Sequence, residues 1–524
     1  MKLTLDKWIV VISLILGTIV QGISTSSVNV SLTQIMGNLG ASLEDVSWVV
    51  TAYTAANVIM VTLSGWMSIK FGEKKYFIAS IVVFTLASVF CGISTNLPEL
   101  IAFRILQGLG GGGLITVAQS LLIKTFPKEQ LGMANAIFLV GMIVGPSIGP
   151  TLGGYVTDNL SWHWVFFINV PVGIVAAVLS YYFIKEPQNS SKSGNLDWYA
   201  LVLLTVAIGG LQIVLSKGQS EDWFESKYII FLTIAFIVGG VLFVTRQIKA
   251  IYPILDLRLL KNMQFAVGIL FCFIQGIGLY ASVFIIPIFC QTLLGYTSQQ
   301  TGWIMLPGSL AAGVIMPFVP LIIKKTGISP VTLSGVGFTL FIVFVWRLSG
   351  MNLDTNAGDF FWPLIIRGIA LGLLFVPLLT ITLFPLHGKD ISQGSALSNM
   401  VRQLGGSFGI ALATTFISTR SIFHLNRLCD HISIFNQSTF QRIHSYTNFF
   451  FSKGGDSAMA HLKAMAAIKG SVAKQAMLLT YNDTFLVVGI CFAVCIPLLL
   501  LFRVKGSGIN LERVEEKVES HIID

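Results

Sequence analysis

Apolar runs of about 20 residues, separated by short polar clusters, recur along the whole chain. A helix needs about 20 mostly apolar residues to cross the hydrocarbon core of a bilayer. Fourteen such runs are readable: 8–31, 46–69, 76–95, 98–123, 132–155, 163–184, 197–216, 228–245, 264–290, 298–323, 330–346, 360–384, 395–418 and 480–502. The pattern predicts an all-α membrane protein. The first run starts near Trp8, lacks a small-residue cleavage site and is too long for a signal-peptide core, so it is read as a span. An even number of spans puts both ends on one side.

Composition agrees. Of 524 residues, 54% are hydrophobic and 11% charged, against about 25% charged in soluble domains. That excludes a soluble globular protein and a disordered one. The excess of 33 Lys and Arg over 24 Asp and Glu is a topology signal, since cytoplasmic loops collect cations. Twenty of the cations fall on the side of the N-terminus, among them Lys70, Lys74, Lys75, Arg246, Lys249, Arg258 and Lys261. The short opposite loops hold Lys217, Lys227 and Arg347. Both termini are therefore expected in the cytoplasm, and nucleic acid is not an expected partner. Only Arg104, Arg367 and Arg402 fall inside spans. Five cysteines fall in spans and Cys429 in the segment 419–479, a pattern that argues against a disulfide framework.

The chain repeats. Gly40, Trp48, Lys70 and Gly72 recur as Gly295, Trp303, Lys325 and Gly327, each 255 residues later. Asn135, Gly141 and Gly145 recur as Asn399, Gly405 and Gly409, each 264 later. Arg104 and Gly108 have looser counterparts in Arg367 and Gly372. These offsets predict two parallel six-span halves, 1–190 and 261–524, with spans 7 and 8 inserted at 191–260. Parallel halves are a transporter architecture, with substrate bound between them near the midplane.

Three segments carry candidate mechanics. The turn after span 2 runs from Gly65 through Lys70 and Gly72 to Lys75. Gly72 permits a tight turn, and the cations can meet helix C-termini; a plain cytoplasmic loop reads equally well. Span 4 carries Arg104, Gln107 and Gly108, then Gly110 to Gly113. A guanidinium about 9–10 Å inside a span needs interior partners, whether to move protons or to pin carbonyls. Span 5 carries Gly141, Gly145, Pro146, Gly149, Pro150, Gly153 and Gly154. The glycines make a smooth packing face and the prolines kink it, which suits a moving interface or a passive packing helix.

On these residues the chain resembles the major facilitator superfamily, and within it the fourteen-helix drug:proton antiporters of the EmrB-like multidrug exporter type. The resemblance implies the major facilitator fold. It equates the turn at 65–75 with the pattern G-x-x-x-D-[RK]-x-G-[RK]-[RK], with Ile69 at the acidic position, and the EmrB-like branch also lacks that acid. It equates Arg104, Gln107 and Gly108 with R-x-x-Q-G, whose Arg is linked to proton transfer with span 1. It equates span 5 with the antiporter motif of exporters. Span 1 of such proteins carries D-[ST]-T-I-x-N-V. Here Ser27, Val28, Asn29 and Val30 keep its end, but Ser24 stands at the Asp position. A serine cannot cycle a proton at physiological pH.

The expected function is secondary export of hydrophobic or amphipathic toxic compounds across the bacterial inner membrane by alternating access. The resemblance implies proton-coupled antiport, with no cofactor or metal, and as partners a periplasmic adaptor (EmrA-like) and an outer-membrane channel (TolC-like). Export of an endogenous metabolite such as a siderophore is one alternative. A non-transporting sensor or scaffold is another, supported by Ser24. No H-E-x-x-H, G-x-S-x-G in a catalytic context or Walker loop suggests an enzyme or ATPase.

No acid lies deep in a span. The nearest are Glu44, Asp45, Glu99, Asp158, Asp359 and Asp483, of which Glu44 and Asp45 are the coupling candidates. The expected cavity lining is Gln21, Ser24, Asn29, Asn57, Gln119, Gln275, Tyr280, Gln291, Arg367, Asn399 and Arg402, each alternatively an interhelical hydrogen bond. A hydrophobic or weakly acidic amphiphile fits a cavity without a carboxylate. The segment 419–479, read as a long outer loop, offers His444, Tyr446, Phe449 to Phe451 and Lys453 as a docking surface or a cap, and Ala458–Leu479 has helical composition. The tail from Leu511 to Ile522 reads as a short amphipathic helix.

Overall fold

A computed structural model describes residues 5–126, 138, 145, 148–185, 197–218, 221–250, 253–386, 389–432, 436–453 and 456–499. Nearly all of them are helical. Twelve helices among the described residues are long and apolar enough to cross a membrane. They coincide with twelve of the fourteen expected runs. The run 132–155 falls largely outside the described residues, including Asn135, Gly141 and Pro146. The run 395–418 lies within a long helix, Lys389–Cys429, that does not reach the apolar standard of the other twelve. Its many Ser, Gly and Gln side chains are tolerated because it packs against several other helices.

In chain order the helices are α1 (Leu5–Leu39), α2 (Leu43–Val46), α3 (Trp48–Phe71), α4 (Glu73–Ile93), α5 (Leu97–Gly111), α6 (Leu114–Thr125), α7 (Trp164–Phe167), α8 (Asn169–Phe183), α9 (Trp198–Lys217) and α10 (Lys227–Lys249). Then follow α11 (Met263–Ile288), α12 (Ser298–Thr326), α13 (Pro330–Leu348), α14 (Phe361–Leu383), α15 (Lys389–Cys429), α16 (Gln437–Ser452) and α17 (Ser457–Leu498). The face where α1 begins is called the near face, and the opposite one the far face. The expected span 4 is broken into α5 and α6 at Gly112 and Gly113. A Cβ on Gly112 would meet the backbone of Asn57, so the break lets α3 approach closely.

The repeat is visible in backbone geometry. Among the described residues the glycines with positive φ are Gly40, Gly72, Gly295 and Gly327. These form the two pairs found at an offset of 255 in the sequence. Each ends a span where an L side chain would be strained.

The reading of 419–479 as a loop is corrected. α15 continues unbroken to Cys429, and α17 begins at Ser457 and runs through into the last span. At 1.5 Å per residue each is about 60 Å long, twice a hydrocarbon core of about 30 Å. Their far ends and α16 together make a helical projection, as the composition of 458–479 foreshadowed.

The hydrophobic core is uneven. Its largest cluster joins the halves near the far face, with Val28 to Ile35 of α1 and Phe284 to Ile288 of α11 in one packed group. Toward the near face the N-terminal half has its own cluster around Phe77, Leu121 and Leu122. The C-terminal half has another around Val319 and Leu373. There the halves meet along one edge, where Val58 and Leu63 of α3 belong to a cluster with Phe265 of α11 and Leu397 of α15.

Candidate functional site

Arg104 on α5 is fully buried. Its Nε donates to the Val49 carbonyl at 2.9 Å, and its Nη1 to Ser24 Oγ at 3.2 Å and Gln107 Oε1 at 2.5 Å. Gln107, one turn along α5, donates in turn to Ser88 Oγ of α4 at 2.7 Å. The guanidinium lies 4.1 Å from the centroid of the Tyr53 ring, a favourable cation–π arrangement. Arg104 thus ties together α1, α3 and its own helix. The position where the resemblance places an acid, Ser24, is the α1 end of that network, and it contributes a neutral hydroxyl.

The C-terminal half holds two more buried arginines. Arg367 on α14 donates through Nε to Ser282 Oγ of α11 at 3.0 Å. Arg402 on α15 donates to Gln275 Oε1 of α11 at 3.2 Å and to Asn399 Oδ1 at 2.9 Å, and lies 4.4 Å from the Phe375 ring centroid. Among the described residues none of the three arginines pairs with a carboxylate. Such charges are held by dipoles alone, an arrangement that is costly in a membrane interior and concentrated at functional positions.

The structure extends the repeat to α1 and α11. Ser24 and Ser282 stand 258 apart, each accepting from the Arg of its half. Gly145 and Gly409 abut Ile19 and Ile277, also 258 apart. The sequence signal for this pair was displaced by one turn, since Gln21-Gly22-Ile23 recurs as Gln275-Gly276-Ile277 at 254. Sequence reasoning also missed Tyr53, Phe375, Ser88 and Ser282, whose roles depend on which helix faces meet.

The other lining candidates are scattered. Asn57 donates to the Gly108 carbonyl at 3.5 Å and Asn29 to the Thr25 carbonyl at 3.0 Å. Tyr280 packs its ring on Gly406, and Gln119 is half-buried on α6. Buried polar atoms without a protein partner among the described residues include Gln21 Oε1, Asn29 Oδ1, Tyr53 Oη and Arg104 Nη2. These four sit on α1, α3 and α5, on the N-terminal side of the interior.

The far ends of the halves are bonded to each other. Asp158 accepts from the Gln299 backbone N–H at 2.6 Å and from Gln34 at 3.2 Å. Gln291, expected in the cavity, instead donates to the Val30 carbonyl at 2.7 Å and accepts from Thr33. The helix through 148–159 forms the seam. Gly149 and Gly153 lie against Ser26 and Ser27 of α1, while Gly154 and Pro150 lie against Ser298 and Gly302 of α12. Gly145, Gly149, Gly153, Gly154 and Pro150 therefore pack as a smooth face shared between the halves.

The remaining acids have local partners. Asp45 pairs with Lys217 at 2.6 Å. Glu99 and Asp359 accept from the backbone N–H of Thr95 and Asn356 as helix-start contacts. Asp483 accepts from Arg420 at 2.7 Å and His424 at 2.8 Å, between α17 and α15. Glu44 lies beside Asp45 in the four-residue α2. In the turn at 65–75, Gly65 has open space at its Cα, Lys70 lies 4.6 Å over the Trp66 ring, and buried Glu73 accepts from Ser120 Oγ at 2.6 Å.

Comparison with known proteins agrees with this geometry. Residues 14–410 match the Major Facilitator Superfamily. The chain is 32% identical over 478 residues to the multidrug export protein EmrB of Escherichia coli (strain K12), covering 91% of each chain. It is 32% identical over 506 residues to the fatty acid resistance protein FarB of Neisseria gonorrhoeae, covering 95% of this chain and 97% of that one. It is 28% identical to the colistin resistance protein EmrB of Acinetobacter baumannii, with 95% and 97% covered. Its fold resembles a bacterial homolog of the human lysosomal transporter Spinster, with a TM-score of 0.59 at 14% identity over 97% of this chain and 100% of that one. A D-xylose–proton symporter follows, with a TM-score of 0.58 at 12% identity over 78% and 90%. With its repeated halves, its glycine seam and a match across most of its length, the chain belongs to the major facilitator superfamily.

Proposed function

We propose that this protein is a multidrug exporter of the bacterial inner membrane, and that its preferred cargo is a hydrophobic compound carrying a weak acid. The observation that carries this reading is the set of buried arginines, Arg104, Arg367 and Arg402, without a carboxylate partner among the described residues. An interior with uncompensated positive charge favours an anionic head group and disfavours cations. The full-length likeness to EmrB and to FarB supports export and an amphiphilic acid as cargo.

The mechanism follows from the seam. The halves 1–190 and 261–524 rock about the face formed by Gly149, Gly153 and Gly154, with α9 and α10 as a bridging insert. Bonds through Asp158 and Gln291 hold the far face shut, and cargo enters between the halves from the cytoplasm, where both termini lie. Opening the far face breaks these bonds and releases cargo outward.

Asp158 is proposed to make the far-side closure sensitive to protons from that side. Of the six acids near the spans, it is the one bonded to both halves, through Gln34 on one and Gln299 on the other. Protonation removes its charge and weakens both bonds, which favours far-side opening. Asp45 and Glu44 are less suited, because Asp45 is held by Lys217. The helical projection of α15, α16 and α17 offers exposed Phe440, Phe449 and Phe451 to a periplasmic adaptor, which passes cargo to an outer-membrane channel. No cofactor is required.

The test is efflux by purified protein in vesicles, with a carboxylated and a cationic dye of similar hydrophobicity, at zero and imposed pH gradients. Faster export of the acid, accelerated by the gradient, is expected. Equal rates for both dyes overturn the cargo assignment; rates indifferent to the gradient overturn antiport. No transport of any dye favours the sensor or scaffold reading.

A further inference from the structure

Of the inserted pair α9 and α10, α10 is among the least buried spans. Along α10 the side chains of Phe231, Ile234, Ile237 and Val241 are exposed, as suits a helix facing lipid. At the near face, α9 and α10 border an open cleft of about 810 Å³. Its inner wall is apolar, formed by Val202, Leu203 and Leu242, and its rim carries Trp198, Arg246 and Lys249.

The rim is built from interlocking charges. Arg246 donates to Asp197 at 2.5 Å and lies 5.3 Å over the Tyr199 ring. The neighbouring guanidinium holds the Asp197 carboxyl below the usual carboxylate range, so this pair is ionised at neutral pH. Arg258 donates to the carbonyls of Ile248 and Ala250 and lies 3.9 Å from Asp256. Lys249, in the last turn of α10, has no such acid among the described residues. Arg258 and Asp256 lie outside the lining, where two cations, Arg246 and Lys249, against one carboxylate, Asp197, leave one surplus positive charge at the mouth of an apolar cleft.

We propose that this cleft binds one anionic diacyl phospholipid, with its phosphate on Lys249 and Arg246 and an acyl chain along Val202 and Leu242. Basic pockets between transmembrane helices on the cytoplasmic side suit such head groups. The surplus matches the single charge of a phosphodiester. The wall continues toward the membrane interior as exposed Val206 and Val238, a path that a free phosphate would not use. Trp198 and Tyr199 stand at the level where aromatic side chains meet head groups. α9 packs on both α3 and α15, so a lipid at its base braces the element that touches both halves. The site lies on the lipid-facing insert and does not depend on the cargo proposed above.

Native mass spectrometry of the full-length protein in detergent tests this. Phosphatidylglycerol is titrated in, with phosphatidylcholine of the same chains and glycerol phosphate as controls. One retained phosphatidylglycerol is expected. Lys249→Gln weakens retention about fivefold, the weight of one Lys near an anionic lipid surface, and Lys249→Arg restores it. Val202→Trp, which fills the cleft and leaves the charges, abolishes retention. Lys227→Gln, at the other end of α10, leaves it unchanged. Equal retention of phosphatidylcholine overturns the proposal, as does unchanged retention in both Lys249→Gln and Val202→Trp. Saturation by glycerol phosphate alone replaces the lipid with a free-phosphate site. Stoichiometric displacement by the carboxylated dye assigns the cleft to cargo instead.

Discussion

The two halves each bury an arginine that reaches a serine on the first helix of the half, but they surround it differently. In the N-terminal half Arg104 reaches Ser24, and also a carbonyl, the Gln107 amide and the Tyr53 ring. In the C-terminal half, among the described residues, Arg367 donates one hydrogen bond, to Ser282. A second arginine, Arg402, is held there by the side-chain amides of Gln275 and Asn399. The fold has repeated the geometry while the chemistry has diverged. Arg104 is pinned from three sides and acts as a strut of its half. Arg402 is held by two flexible amides and is better placed to exchange them for a substrate anion.

The strongest way to break this comparison is Arg104→Ala. It leaves Ser24 Oγ and Gln107 Oε1 without their Arg104 donor and takes a second bond from the Val49 carbonyl, at about 1–3 kcal/mol for each buried group left unpaired. Efflux from vesicles should fall to background and the unfolding temperature should drop. Arg104→Lys, with one point charge in place of a planar fork, should recover part of the folding but little transport. Normal efflux by either variant would remove the strut. Arg402→Gln should act more selectively. The loss of a charge-assisted contact to an anion is worth about 1.5–3 kcal/mol, roughly tenfold or more in apparent affinity. Export of the carboxylated dye should suffer and that of the cationic dye should not. Equal loss for both would make Arg402 structural, like Arg104.

Two seam glycines differ in what faces them, one rigid backbone and the other a side chain. A Cβ on Gly409 meets the carbonyl oxygen of Ile277 at 2.7 Å, which is rigid backbone. On Gly149 it meets chiefly the Ser26 hydroxyl, which can rotate. Overpacking typically costs about 1–3 kcal/mol, so Gly409→Ala should lower the unfolding temperature more than Gly149→Ala. The reverse order would show that the Ser26 hydroxyl cannot yield. Asp158→Asn should have a smaller effect on stability. It weakens the far-side closure, and a cysteine placed at Thr33 should then label faster with an impermeant maleimide. An unchanged labelling rate would remove Asp158 from the closure.

Smallest of all is Asp197→Asn at the base of the insert. Its carboxyl is held below its ordinary range by Arg246, so its contribution is present at neutral pH. That contribution is lost as pH falls through the lowered value. Both side chains are partly exposed, and such pairs add little. Unfolding temperatures of wild type and variant should differ slightly at pH 7 and converge in acid. A gap that persists in acid would point to packing rather than charge.

Much of the fold was legible because bilayers impose a simple rule. Twelve apolar runs became helices, most of them near their expected bounds, since backbone polar groups in lipid must be satisfied within the helix. The paired glycines were legible because positive φ selects glycine and little else. The candidate site was legible in part. Arg104, Gln107 and Ser24 are joined as the motif spacing suggested, whereas Gln291 belongs to the far closure. The helical projection was legible only at 458–479, because the rest of 419–479 is too polar for a hydropathy pattern to separate a solvated helix from a loop.

By itself the sequence determined where twelve of the apolar runs lie, the four glycine turns, and the lack of any deep acid. These are properties of single residues and their near neighbours. Only the tertiary structure decided what the arginines hold. Arg104 and Ser24 are 80 residues apart, and Arg402 and Gln275 are 127. Pairing at such distances is set by which helix faces meet. That in turn depends on close approach at Gly108, Gly149 and Gly409, where the absence of a side chain lets one backbone settle on another.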